Sequence, residues 1–133
     1  MKDDRLYLIH IRDSMARIKR YTKEGKEAFL GSTLLQDAVM RNLQTLTESS
    51  QRLSADFRNQ HGAIDWRGMA GLRNVLVHQY MGIDLVRVWT IVERDLPRLK
   101  RMLHPVLTGL KPPRSTPQKR KGRSRSQGRK KKK

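Results

Sequence analysis

Arg73, Asn74, His78 and Tyr80 place four chemically capable side chains within eight residues of one another. Together they suit the cleavage of a phosphodiester without a metal. In RNA the ribose 2′-hydroxyl can attack the adjacent phosphorus, so one proton leaves the nucleophile and another reaches the departing 5′-oxygen. A histidine titrating near neutrality can serve either step, which makes His78 the candidate acid–base. The crowded phosphorane carries extra negative charge, and a guanidinium matches its geometry and stays protonated, a role that falls to Arg73. Asn74 is suited to orienting the imidazole or donating to the phosphate, and the Tyr80 phenol to positioning substrate. The products would be a 2′,3′-cyclic phosphate and a 5′-hydroxyl.

These side chains need an element that holds them. Met69, Leu72, Val75 and Leu76 recur at helical spacing, so the run from Trp66 reads as a half-buried helix with Asp65 as its N-cap. Asn74 and His78 are then one turn apart on one face, and Arg73 and Tyr80 nearly eclipse. Arg73 and His78 are five residues apart, roughly 140° around a regular helix. They converge on one ligand only if the helix ends near His78 or if a second copy of the chain supplies part of the site. Gly82 followed by Asp84 predicts that the helix ends there and another begins. Gly68 and Gly71, three apart on the motif helix, predict the close approach of another helix, from this chain or a partner.

The string from Trp66 through Arg73, Asn74, His78 and Tyr80 to Ile83 and Asp84 resembles the signature of the HepT-like toxins, ribonucleases of the HEPN superfamily. The bare arginine-to-histidine spacing carries no weight, because Arg5 and His10 share it. The longer string is far more specific, and Gln36 through Leu43 resembles the family as well. Where the family has Gly-Glu-Ala, this chain has Thr47, Glu48 and Ser49. The resemblance covers about residues 5–103. It implies a metal-independent endoribonuclease toxin that acts as a homodimer, with Arg73, Asn74 and His78 catalytic. It also implies a minimal nucleotidyltransferase antitoxin that adenylylates Tyr80, setting a negative phosphate beside Arg73 and His78.

The rest of the chain reads as helices. Leu8, Ile11, Met15 and Ile18 mark a first helix over 5–22, with Asp3 or Asp4 as its cap. A break at 23–26 and a short apolar anchor, Ala28-Phe29-Leu30, lead to a capping Ser32 or Thr33. Leu35, Val39, Leu43, Leu46 and Leu53 mark a second helix over 33–54. Residues 55–64 read as a polar connection with His61 exposed. Leu85, Trp89, Val92, Leu96, Leu99 and Leu103 mark a last helix over about 85–104, kinked or restarted at Pro97 and ended at His104-Pro105. Met15, Met40, Met69, Met81 and Met102 read as core filler. The expected fold is an all-α, up-and-down HEPN-type bundle of three long helices plus the short motif helix, occupying residues 1–110.

Charge divides the chain. The 133 residues carry a formal charge of +18, and residues 111–133 hold 12 of the 30 Lys and Arg with no acid among them. That stretch, with Lys119, Arg120, Lys121, Arg123, Arg125, Arg129 and Lys130 at its heart, has no hydrophobic residue. It is expected to be disordered and to grip phosphate backbones by counterion release. No cysteine is present. The four His are scattered at 10, 61, 78 and 104 without metal-ligand spacing, so no metal and no cofactor are expected. No Walker-type loop, signal peptide or membrane-length apolar run occurs, so a cytoplasmic protein is expected, with RNA and no membrane as its partner. Set against the enzyme is a non-catalytic α-helical dimer that binds RNA or partners through its basic tail. A structural or membrane-surface role fits less well, because the helices carry core stripes rather than basic amphipathic faces.

Overall fold

The computed structural model describes residues 2–78 and 82–110. Tyr80, Met81 and the whole basic tail, including Lys119 to Lys130, therefore lie outside the described residues. The described chain is all helical: α1 (Lys2–Tyr21), α2 (Lys26–Leu30), α3 (Thr33–Gln51), α4 (Ala55–Gln60), α5 (Trp66–His78), α6 (Leu85–Thr90), a π-helical turn (Ile91–Asp95) and α7 (Leu96–Thr108). No strand occurs among the described residues. None of the helices is long and apolar enough to cross a membrane.

Helix α3 is the scaffold. It packs against α1 along one side and against α5 along another, while α2 closes its N-terminal end. Val39, Leu43 and Leu46 on α3 are almost fully buried, as are Ile11 and Ile18 on α1. The core has two lobes. One gathers Leu8, Ile11, Leu46, Leu53, Phe57 and Leu103 around α1, α4 and α7. The other gathers Ile18, Phe29, Val39, Leu43, Leu76 and Trp89 around α2, α5 and α6. The predicted stripes of α1 and α3 are thus the buried ones, although α3 stops at Gln51 and Leu53 is buried just beyond it.

Local polar chemistry fixes the joints. Ser32 caps α3, its side chain accepting from the Leu35 amide, as expected. Gly25 turns the chain between α1 and α2 at φ 99°, a conformation that disfavours a side chain. Gln36 donates its side-chain amide to the carbonyls of Phe29 and Leu30, tying the end of α2 to α3. At the variant Thr47-Glu48-Ser49, the fully buried Thr47 hydroxyl donates to Leu43 O within its own helix, so no polar group is stranded by the change.

Four expectations are corrected. Residues 55–64 are not only a connection: α4 forms there, capped by Ser54, because Phe57 buries itself in the core and His61 stacks on it at 4.2 Å. Asp4 does not cap α1. It lies inside that helix and accepts from the backbone and the hydroxyl of Ser54, each at 2.7 Å, across fifty residues of sequence. The last helix restarts at Pro97 as expected, α7 beginning at Leu96 with the proline in its first turn, but it does not end at Pro105. A proline ring clashes with the carbonyl four residues back, here Glu93. The widened π turn relieves this, with the Leu96 amide donating to Ile91 O, five residues back. Burial of Leu107 then carries α7 through Pro105 to Thr108. Met102 is not core filler, being exposed on α7, while Met15 and Met40 are buried and Met69 half-buried.

Asp4 staples the start of α4 to α1, and its surroundings set its titration. Burial pushes its carboxyl up, but the side-chain and backbone bonds from Ser54 outweigh that and hold it below the usual carboxylate range. A depressed carboxyl stabilises the fold above its unfolded pKa and ceases to as pH falls through the folded value. Asp4→Ala should therefore lower the unfolding free energy by about 1–2 kcal/mol at neutral pH. The gap between parent and variant in urea unfolding should shrink once the pH drops below the ordinary carboxylate range. A gap that stays constant down to low pH would show that the ionised carboxylate contributes nothing.

Candidate active site on helix α5

The motif helix forms because its start is capped and one side of it is greasy. Asp65 accepts from the Gly68 amide at 2.9 Å, the predicted N-cap. The Trp66 indole donates to the carbonyls of Arg58 and His61, fastening the helix start to α4. Leu76 is buried, and Leu72 and Met69 are half-buried beneath the helix. Burying a leucine contributes about 2 kcal/mol, more than an exposed polar contact on the opposite side, so the apolar face sets the rotation of α5.

With Leu76 turned inward, helical geometry decides what faces out. Asn74 and His78 are exposed on one face, one turn apart, and His78 is the last described residue of α5. Arg73 is half-buried on the flank, and its guanidinium donates to Asn74 Oδ1 at 3.3 Å. The structure therefore brings Arg73 to Asn74 and puts Asn74 on the histidine's face. It does not bring Arg73 to His78, and the imidazole has no hydrogen bond among the described residues. Within one chain the guanidinium and the imidazole stay roughly 140° apart around the helix axis. Tyr80 lies outside the described residues.

The sequence reading did not single out Arg67. Arg67, Gly71, Asn74 and His78 follow one another at spacings of four, three and four, and all are exposed, so they make a single outward row. The spacing was visible in the sequence, but only the burial of Leu76 says which side of the helix faces solvent. Within the described chain no other helix approaches the two glycines. A Cβ on Gly68 would collide with the Asp65 carboxylate, so this glycine makes room for the N-cap. Gly71 has nothing within 4 Å of where a Cβ would sit.

Between α5 and α6–α7 runs an apolar groove of about 570 Å³, floored by Leu43 and Leu46 and walled by Gly68 and Val75 on one side and Arg98 and Met102 on the other. No group of His, Asp or Glu among the described residues could hold a metal ion.

A sequence profile described as Ribonuclease HepT-like matches residues 11–106. The chain belongs to the HepT-like ribonuclease family. A protein of Thermococcus cleftensis named "Probable ribonuclease HepT" is 38% identical over 95 residues, which are 71% of this chain and 86% of that one. A Methanocaldococcus jannaschii protein named "Putative RNase" is 34% identical over 101 residues, covering 75% of this chain and 93% of that one. Another from the same organism, named as a gamma-glutamylcyclotransferase and "putative RNase", is 36% identical over 110 residues. Those residues are 82% of this chain but only 50% of that longer protein. No solved structure matches.

The HepT-like signature thus divides by job. Trp66 and Gly68 build the start of the helix, and Asp84 caps α6 by accepting from the amides of Val86 and Arg87. Asn74 and His78 are left exposed, with Arg73 half-buried at their flank. The two glycines should respond differently to alanine. Gly71→Ala should stabilise an isolated chain by about 0.8–1 kcal/mol through helix propensity. Gly68→Ala should give little or nothing, because displacing Asp65 forfeits a cap of comparable size, about 1 kcal/mol. Urea unfolding at one protein concentration measures both, and equal stabilisation would remove the cap argument for Gly68.

Proposed function

We propose that the chain is a metal-independent endoribonuclease toxin whose active site is Arg73, Asn74 and His78, completed across a homodimer. The observation that carries the reading is the exposed His78 at the last described turn of α5, one turn from an Asn74 that holds the Arg73 guanidinium, in a chain of the HepT-like family. The 2′-hydroxyl attacks the phosphorus and the P–O5′ bond breaks. His78 moves protons and Arg73 balances the charge on the phosphorane. Each chain contributes one such histidine, whereas the reaction takes one proton away and delivers another. A two-fold pair of α5 helices supplies two imidazoles and removes the 140° separation of Arg73 and His78, since each guanidinium can work with the partner's imidazole. The bare backbone at Gly71 and the apolar groove beside α5 are consistent with that close approach. The tail, with Lys119, Arg120, Lys121, Arg123, Arg125, Arg129 and Lys130, adds affinity for polyanions without sequence preference.

The partner in this reading is a nucleotidyltransferase antitoxin. The Tyr80 phenolic oxygen attacks the α-phosphorus of ATP and pyrophosphate leaves. The AMP so attached sits two residues from His78, where it occupies the phosphate position and repels RNA.

His78→Ala and Arg73→Ala should each reduce RNA cleavage by at least a hundredfold, the usual scale for an acid–base or electrostatic group, with helical content unchanged. The parent should keep cutting in EDTA. Cleavage surviving in both purified variants, or lost with EDTA, would overturn the mechanism; binding without any cleavage by the parent would leave a non-catalytic RNA-binding dimer. Separately, incubation with the antitoxin and ATP should add one AMP to the intact mass of the parent and none to Tyr80→Phe. Equal labelling of the two would move the modification to another residue.

A further inference from the structure

Asp95 is the last acidic residue in the chain, and half of the 30 Lys and Arg follow it. Some of that charge lies on the folded body. Arg94 in the π turn and Arg98 and Arg101 on α7 are separated by four and three residues, so they share one face of a continuous helix. All three are exposed. None makes a salt bridge or hydrogen bond among the described residues, although Glu93 and Asp95 sit on the same helix. Like charges at these spacings destabilise a helix, so folding alone gives no reason for the row. The opposite face is pinned by buried Leu99, Leu103 and Leu107, which makes the row a rigid one, about 10 Å long from its rise per residue.

Its position matters. Arg98 and Met102 form one wall of the groove whose other wall is α5, the helix that carries Arg73, Asn74 and His78. Guanidinium groups recognise phosphate in a bidentate fork and are weakly hydrated, which suits them to a polyphosphate backbone. We propose that Arg94, Arg98 and Arg101 form a second phosphate-binding site, which holds the backbone of the RNA strand beside the groove and leads it towards His78. This rests on the ribonuclease reading above for the identity of the polyanion. A membrane surface fits the row less well, because a lipid-seeking helix pairs its charges with a broad exposed apolar face, whereas this helix keeps its apolar face in the core.

The test uses the full chain carrying His78→Ala and a fluorescent single-stranded RNA oligonucleotide, with anisotropy read over a salt series. One variant adds Arg94→Gln, Arg98→Gln and Arg101→Gln. A second removes the same charge from the exposed α1 residues Arg17, Lys19 and Arg20, each also to Gln. The first should weaken binding by about ten- to a hundredfold at 0.1 M salt and flatten the slope of log K against log salt by about 2, at about 0.7 per phosphate on a single strand. The second should change affinity by less than about threefold. If the triple variant loses helical content, Arg98→Gln alone should flatten the slope by about 0.7. Equal losses in both variants would reduce the row to general charge and overturn the proposal, as would unchanged binding in the first, no RNA binding by the parent, or loss of binding to anionic phospholipid vesicles but not to RNA. Cleavage by the chain with His78 intact is scored separately. A chain that never cuts, yet binds RNA through the row, would sink the ribonuclease reading and leave the row standing; a chain that cuts, with the row irrelevant to binding, would do the reverse.

Discussion

The burial of Leu76 against α3 governs the functional surface. It is the one fully buried side chain described on α5, with Leu72 and Met69 beside it. The helix repeat is fixed at 3.6 residues per turn, so choosing which residue points inward chooses all the others. Asn74 and His78 are thereby sent to solvent and Arg73 to the flank. The exposed contact of 3.3 Å from Arg73 to Asn74 has far less energy at stake and follows from the rotation rather than causing it.

That rotation depends on α3 being held in turn. Helix α1 covers one side of α3 and α2 closes its end through Gln36, so α5 finds a pre-built apolar surface with a single good orientation. Helix α5 leans on α3 but stands apart from α6 and α7, and the apolar groove is the space left between them.

Proline placement shapes the other wall. The π turn ahead of Pro97 keeps α6 and α7 a single continuous rod. The same rod keeps Trp89 against Phe29 at one end and Leu103 and Leu107 in the core at the other.

The sequence alone determined the longer helices and three of the caps. Ser32, Asp65 and Asp84 each act on amides two or three residues away, and the buried stripes of α1 and α3 repeat every three or four residues, so both signals are local and survive without knowledge of the fold. It also made Arg73, Asn74 and His78 the candidate site, because they lie within six residues on one helix. What it could not determine depends on residues far apart in the chain. The Asp4–Ser54 staple joins partners fifty residues distant. Helix α4 exists because Phe57 finds a core pocket, and His61 follows it there. Met102 looked like core by its type, yet it lies at a groove that only the divergence of α5 from α7 creates. The pattern of a helix says that one face is apolar, but whether another element covers that face, and how the helix is turned beneath it, is settled by burial against distant parts of the chain. Tertiary packing alone therefore decided which face of α5 is turned to solvent, with Asn74 and His78 on it and Arg73 at its flank.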